Sequence, residues 1–341
     1  MAVMKNLKID VEYIVREILK ICKNKEATRC FVQIPEGLVH LAHDISKGLI
    51  DNGIVGIVSV DPCFGACDIP YWKAKILGCD LIVHVGHAPI PSLKIPMDVE
   101  FVELGYDIIV DEKSVDLLCA ILKSRGLEKV GLITNVQYVG ILTRFKDLLE
   151  AHGIRVYIGK ASGRIRHDGQ VLGCNISTAR AVSKVVDGYI FVGDGMFHPI
   201  AVYLALGKPV LAYNPLTGEV KDVREEGEKI LRIRMAHMLK ASEAKSFGVI
   251  VTSKIGQYSD SLLNVAIEYL RNARREYSII HLENVDETLN YIKGIDVFVI
   301  IGCPRIVYDD YMKFKRPVIT VSELILSLKG KFEDWSFEEL P

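Results

Sequence analysis

Three internal copies of one pattern constrain this chain more than any other feature. Apolar strand-like segments alternate with helix-like segments from end to end, the signature of an α/β protein. In the first copy, CFVQIP (30–35) precedes the helical stretch GLVHLAHDISKGLIDNG. It is followed by the strand GIVGIVSVD (53–61), a cysteine-bearing loop, a short helix around WKAKILG and the strand DLIVHVG (80–86). The second copy runs VGLITN (130–135), ILTRFKDLLEAHG, IRVYIG (154–159), a long loop to Cys174, a helix and GYIFVG (188–193). The third runs FGVIVTS, SDSLLNVAIEYLRNARR, YSIIHLEN, a helix at VDETLNYIKG and DVFVIIG (296–302). Gly86, Gly193 and Gly302 close the corresponding strands at intervals of 107 and 109 residues. Pro96, Pro209 and Pro317, each before another short apolar segment, repeat the register.

These markers predict three homologous Rossmann-like domains over 1–105, 106–212 and 213–341, each with a small, mostly parallel sheet, set around a central cleft. NPLTGEVKDVREEGEKI reads as a polar connector and the acidic end FEDWSFEELP as a surface tail or strap. The opening MAVMKNLKIDVEYIVREILK places Asp10, Glu12, Arg16 and Glu17 within an apolar rhythm, an amphipathic helix rather than a secretory signal. No apolar run approaches the roughly 20 residues of a bilayer span, so no membrane partner and a cytoplasmic location are expected. The 42 Lys plus Arg balance 43 Asp plus Glu, which argues against a direct nucleic-acid substrate.

In open α/β sheets ligands gather beyond the carboxyl ends of the strands. Three cysteines fall there. Cys67 follows the second strand of the first copy in DPCFGACD, and Cys174 occupies the matching loop GQVLGCN, 107 residues on. Cys303 follows Gly302 directly, at a strand end that is not register-equivalent. Cys22, Cys30, Cys79 and Cys119 lie in or beside apolar segments and read as packing. Three loop thiolates suit an iron–sulfur cubane with one iron left open. Zinc with Cys63 as a fourth ligand and a Cys63–Cys67 thiol pair are the other readings. Phosphate-loop, dinucleotide, zinc-protease and hydrolase signatures are missing from the sequence. Glu36 in PEGL, His84 and His87 around Gly86, and His198 near Gly193 are placed to touch a ligand. Gln257 and Arg305 suit an amino-acid-like one, since a guanidinium grips a carboxylate in a bidentate manner. The basic runs Arg271–Arg275 and Lys313–Arg316 read as solvated faces.

The segments QIPEGL, GACD, HVGH, GQVLGCN, GDGMFHP, KIGQ and CPR with DDY resemble the archaeal diphthamide biosynthesis enzymes of the Dph2 type, and they run through all three copies. The resemblance implies a homodimer in which Cys67, Cys174 and Cys303 hold a [4Fe-4S] cluster, with Cys63 outside that trio. It implies S-adenosylmethionine as cosubstrate, with Gln257 and Arg305 orienting its methionyl group and Glu36, Asp68, His198, Gly193 and Gly86 lining the pocket. It also implies a radical mechanism: reductive cleavage of the Cγ–S bond and transfer of a 3-amino-3-carboxypropyl group to C2 of a histidine in translation elongation factor 2. Methylthioadenosine leaves, and an unidentified electron donor supplies the electron. A support subunit that only delivers electrons, and a zinc-bearing binding module, are the alternative classes.

Overall fold

The computed structural model describes residues 10–340. The protein is α/β, with three sheets of the same strand order. The first contains β1 (Arg29–Gln33), β2 (Val55–Ser59), β3 (Leu81–Val85) and β4 (Val99–Val102), all parallel, in the order β2-β1-β3-β4. The second contains β5 (Lys129–Thr134), β6 (Arg155–Tyr157), β7 (Gly188–Val192), β8 (Val210–Tyr213) and β9 (Val220–Asp222), in the order β6-β5-β7-β8-β9. The third contains β10 (Ser246–Val251), β11 (Glu276–His281), β12 (Val297–Ile301) and β13 (Val318–Ile319), in the order β11-β10-β12-β13. Each sheet therefore reverses direction of growth between its first and third strands, where ligand crevices form.

The central strands β3, β7 and β12 are buried along their whole length, which explains their unbroken apolar sequence. An aspartate precedes each of them and caps the neighbouring strand. Asp80 accepts from the N–H groups of Thr28 and Arg29, Asp187 from Glu128 and Lys129, and Asp296 from Lys245 and Ser246. These three carboxylates recur at the same 107- and 109-residue intervals as the strand-closing glycines.

Helix α1 (Val11–Asn24) starts at Asp10, whose carboxylate accepts from Glu12 N–H, and buries Ile14, Ile18 and Cys22 on one face. The part of the expected N-terminal helix before Asp10 lies outside the described residues. Helices α2 (Ala42–Asp51) and α3 (Tyr71–Ile76) complete the first repeat. In the second, α4 (Glu112–Ser124), α5 (Leu142–Ala151), α6 (Ser177–Val182) and α7 (Phe197–Leu206) surround the sheet. In the third, α8 (Arg224–Glu243), α9 (Asp260–Asn272), α10 (Arg305–Tyr308) and α11 (Val321–Lys329) do so.

Two expectations need revision, and one open choice is decided. The polar stretch 214–230 is not a free connector: it forms β9, antiparallel to β8, and the first turns of α8. A division at residue 212 therefore cuts β8 and detaches a strand that belongs to the second sheet. VDETLNYIKG forms only a 3-10 turn, Glu287–Tyr291, because the chain is already extended again at Ile292. Of the two readings of the acidic end, tail or strap, the structure has the strap. Phe337 and Leu340 are buried, and Trp335 donates its indole N–H to Glu323. Glu323 is paired with Arg234 in a fully buried bidentate contact that ties α8 to α11. The second and third repeats meet in one apolar cluster, which includes Ile133, Phe191, Phe298 and Cys303, and each repeat also keeps its own, around Val32 and Val83, Leu132 and Phe145, and Val249 and Leu324.

Candidate metal centre

Cys67 is set by a turn at the carboxyl end of the first sheet, where Asp68 N–H donates to Gly65 carbonyl. Two contacts from elsewhere fix it. Gln33 Nε2 donates to the Asp68 carbonyl at 2.7 Å, and Gly256 N–H donates to the Cys67 carbonyl at 2.9 Å. Gly256 lies so close that a Cβ on it would fall 2.6 Å from Cys67 Cα, so the two loops meet backbone to backbone. Lys254 Nζ pairs with the Asp68 carboxylate in a buried contact between the first and third repeats.

Cys174 reaches the same region because its loop returns alongside β5. Thr134 N–H donates to Gly169 carbonyl and Val171 N–H to Thr134 carbonyl. Reciprocal backbone bonds between Leu172 and Asn175 then close a tight turn around Gly173 and Cys174. Gly173 admits no side chain, since a Cβ would sit 1.7 Å from the Phe197 ring. From behind, the strap holds this turn. Leu340 N–H donates to Cys174 carbonyl at 2.9 Å, and Glu339 accepts from Ile176 N–H and pairs with Arg180. Cys303 follows β12, the third strand of its sheet, whereas Cys67 and Cys174 follow second strands.

The three thiols act on one another. Burial pushes Cys303 well above the ordinary thiol range, and the charges of Cys67 and Cys174 push it further. Burial and then Cys67 push Cys174 up to about 12. Cys67 is raised by burial and eased by Gln257, whose Nε2 donates to its Sγ at 3.4 Å. Arg164, buried, donates to Gly256 carbonyl at 2.8 Å, and its charge favours the thiolates of Cys67 and Cys174. An amide and a guanidinium placed against sulfur suit an anionic thiolate group, not three packed thiols. Among the described residues no three His, Cys, Asp or Glu side chains could hold a single metal ion. Three thiols on separate loops match the donor type of an iron–sulfur cubane, whose irons occupy separate corners and take thiolate ligands.

The family model described as "Putative diphthamide synthesis protein" matches residues 34–341. The chain belongs to the diphthamide synthesis family. It is similar to the 2-(3-amino-3-carboxypropyl)histidine synthase of Pyrococcus horikoshii, 34% identical over 330 residues that cover 95% of this chain and 92% of that one. The enzyme of the same name from Methanocaldococcus jannaschii is 28% identical over 97% of this chain and 93% of its own. The crystal structure of Dph2 from Pyrococcus horikoshii with a 4Fe-4S cluster superposes with a TM-score of 0.87 at 32% identity, covering 96% of this chain and 93% of that one.

Within this diphthamide-family site, the sequence candidates have unequal positions. Gln257 faces the Cys67 sulfur rather than open cleft. Asp68 is buried and engaged by Lys254, so it clamps two repeats together instead of lining a pocket. His84 is fully buried, with Nδ1 on Gln33 Oε1 and Nε2 on His87 Nδ1. Glu36 stands exposed at the start of a 3-10 turn. His198 is half-buried and stacked on Phe191, and desolvation with the Arg305 charge lowers it to about 4. Arg305 is exposed over the Phe197 ring and paired with Asp309 at 2.9 Å. Gly86 and Gly193 turn the chain at strand ends, each donating its N–H to the adjacent strand end, Val102 and Tyr213. Cys63, half-buried, is pushed up to about 12 by burial and Asp68, and its thiol turns to Gly65 carbonyl.

Arg164 and Lys254 escaped the sequence reading as functional residues. Arg164 lies ten residues before Cys174 but far from Cys67, and Lys254 stands in the KIGQ segment without a role of its own; a basic residue in a loop does not by itself mark a partner from another repeat.

Proposed function

We propose that this chain is a 2-(3-amino-3-carboxypropyl)histidine synthase that catalyses the first step of diphthamide formation. Cys67, Cys174 and Cys303 hold a [4Fe-4S] cluster, one cysteine from each of three homologous domains, the second of which extends through β9. Bound there, the cluster supplies the electron that cleaves the Cγ–S bond of S-adenosylmethionine. The 3-amino-3-carboxypropyl group goes to C2 of a histidine imidazole in translation elongation factor 2, and methylthioadenosine leaves. A homodimer in the cytoplasm, served by a separate electron donor, completes the reading.

The observation that carries it is three cysteines from three repeats, Cys303 buried and Cys67 and Cys174 half-buried, placed so that the charges of Cys67 and Cys174 act on Cys303 and that of Cys67 on Cys174, in a family with a cluster-bearing solved member. The protein's own groups have definite tasks. Gln257 donates to one ligand sulfur, Arg164 offsets thiolate charge, and the Lys254–Asp68 pair locks the first loop to the third. Arg305 is the candidate for the methionyl carboxylate. Its exposed i,i+4 partner Asp309 contributes at most about 1 kcal/mol, so a substrate carboxylate can displace it.

The test is anaerobic preparation followed by reduction with S-adenosylmethionine and the matching elongation factor 2. Expected are a brown chain, methylthioadenosine, and a mass increase on one histidine. Removing any of the three cysteines strips the cluster, while Cys63→Ala keeps most of it. Full transferase activity from colourless, aerobic protein refutes the reading. A retained cluster with no cleavage under strong reduction points instead to the electron-delivery role.

A further inference from the structure

A chain of hydrogen bonds, buried at Gln33 and His84 and part-buried at His87, leads from the Cys67 loop to the side chain of His87, and each bond has one possible direction. The Asp68 carbonyl can only accept, so Gln33 must turn its amide NH2 towards it, at 2.7 Å. The other end of that amide, Oε1, can only accept, and it lies 2.8 Å from His84 Nδ1. His84 Nδ1 therefore carries a hydrogen. Its ring is fully buried beside a second imidazole, and burial holds it neutral, so Nε2 is bare and accepts. The partner at 2.9 Å is His87 Nδ1, which must then be the N–H donor.

His87 is itself lowered to about 4 by burial and is neutral near pH 7. With its hydrogen committed to His84, the remaining nitrogen holds a lone pair. That Nε2 has no hydrogen-bond partner among the described residues. The Cδ2–Nε2 edge of the ring passes Gly65 in the Cys67 loop, where a Cβ would lie 3.6–3.7 Å from those two atoms. His198 lies near His87.

We propose that His87 presents Nε2 to the cleft as the hydrogen-bond acceptor for an N–H group of the substrate, in the Nδ1–H tautomer that Gln33 and His84 impose. This deepens the proposed function and rests on it for the identity of the substrate. Two groups bring the required donor: the α-ammonium of the methionyl part of S-adenosylmethionine and the N–H of the target imidazole. A site that offers Arg305 to a carboxylate needs an acceptor for the accompanying amine. A ring that stays neutral serves here as acceptor only, since a nitrogen that protonates near pH 4 is a poor base at pH 7. Gln33 and His84 are positioning residues.

The tautomer is read on the unloaded chain by long-range proton–nitrogen NMR of 15N-histidine-labelled protein. Expected for His87 are a protonated Nδ1 and a bare Nε2, with Gln33→Leu releasing the ring to the commoner Nε2–H form. His87→Phe is then compared with the unaltered, cluster-loaded chain for binding of S-adenosylmethionine and of methylthioadenosine, which lacks the aminocarboxypropyl group. Loss of about tenfold or more for the first and no change for the second assigns the ammonium, as befits a bond to a charged donor. Unchanged S-adenosylmethionine binding with a comparable rise in KM for elongation factor 2 assigns the imidazole. A His87 that carries its hydrogen on Nε2 in the unaltered chain, or a folded His87→Phe that moves neither quantity, overturns the proposal. Should His87→Phe fail to fold, the NMR result and the same binding comparison on Gln33→Leu decide. An unaltered chain that binds no S-adenosylmethionine defeats the functional reading, while the tautomer result still stands.

Discussion

Replacing Gly256 with alanine should detach Cys67 from the site while leaving the three sheets intact. The added Cβ falls 2.6 Å from Cys67 Cα, 2.7 Å from its carbonyl oxygen and 2.8 Å from its Cβ. Ordinary contact begins near 3.4 Å, so the two loops must separate by about 0.8 Å at the tightest point. The opposing atoms are mostly backbone, which cannot swing aside as a side-chain tip can. Overpacking of this size costs typically 1–3 kcal/mol in a core. Here the chain has a cheaper escape, because the contact joins two loops rather than two layers of one sheet. Moving the loops apart also stretches the Gly256 N–H bond to Cys67 carbonyl and weakens the Gln257 contact with Cys67 Sγ. The expected result is iron and sulfide content reduced at least several-fold after anaerobic reconstitution, with a Tm drop of only a few degrees. Gly140→Ala, in open space at ordinary φ, is the control and should do nothing to either. If Gly256→Ala retains a full complement of cluster, the backbone contact does not position Cys67 and the argument fails.

Acidification should destabilise the unloaded chain sooner than its carboxylates alone would require. His87, His198 and His237 are held at about 4 in the fold but titrate near 6.5 when unfolded. The unfolded chain therefore binds protons first: stability is complete above pH 6.5 and is lost as pH falls towards 4, by at most roughly 3 kcal/mol per ring. Urea unfolding at pH 7.5, 6 and 5 checks the sign, and a flat or opposite trend contradicts it. Removing residues 338–341 takes away the Leu340 bond to Cys174 and the Glu339 contacts with Ile176 and Arg180. Cys174 should then react faster with a thiol reagent while far-UV circular dichroism is unchanged; equal reactivity means the strap does not hold that turn. Arg164→Gln removes a positive charge beside the sulfurs of Cys67 and Cys174, so a cluster held there as proposed should be harder to reduce, seen as a more negative midpoint in a spectroelectrochemical titration. An unchanged or more positive midpoint rules out this role for the guanidinium.

What the sequence made legible follows from what burial does to composition. Strands covered on both faces become apolar runs, so β3, β7 and β12 stood out, and the glycines that end them kept a common register. Cys67, Cys174 and Cys303 were visible because cysteines in polar, glycine-rich loops contrast with Cys22 and Cys30 in the core. The capping carboxylates Asp80, Asp187 and Asp296 had a signal in their spacing, yet an aspartate before a strand is too common to attract notice by itself. Residues 214–230 misled because hydrophilic composition is shared by connectors, edge hairpins and exposed helices; β9 and α8 are the last two. Contacts such as Arg164 to Gly256 or Leu340 to Cys174 join different repeats, and no local pattern encodes them.

The unequal use of three equal scaffolds carries a consequence for chemistry. A site with exact threefold loops would present three equivalent faces to whatever it binds. Here the strands keep their order but the loops have diverged. The first repeat contributes Cys67 after its second strand and the His84–His87 pair at its third; the second contributes Cys174 and, after its third strand, Phe197 and His198. The third places Cys303 after its third strand and spends the loop after its first on Lys254, Gly256 and Gln257. The sulfur of Cys67 then meets an amide, Cys174 sits in a turn held by the strap, and Cys303 lies beside Arg305. Rigid, buried strands fix where the loops start, and differences confined to those loops are enough to give the shared cleft distinct sides.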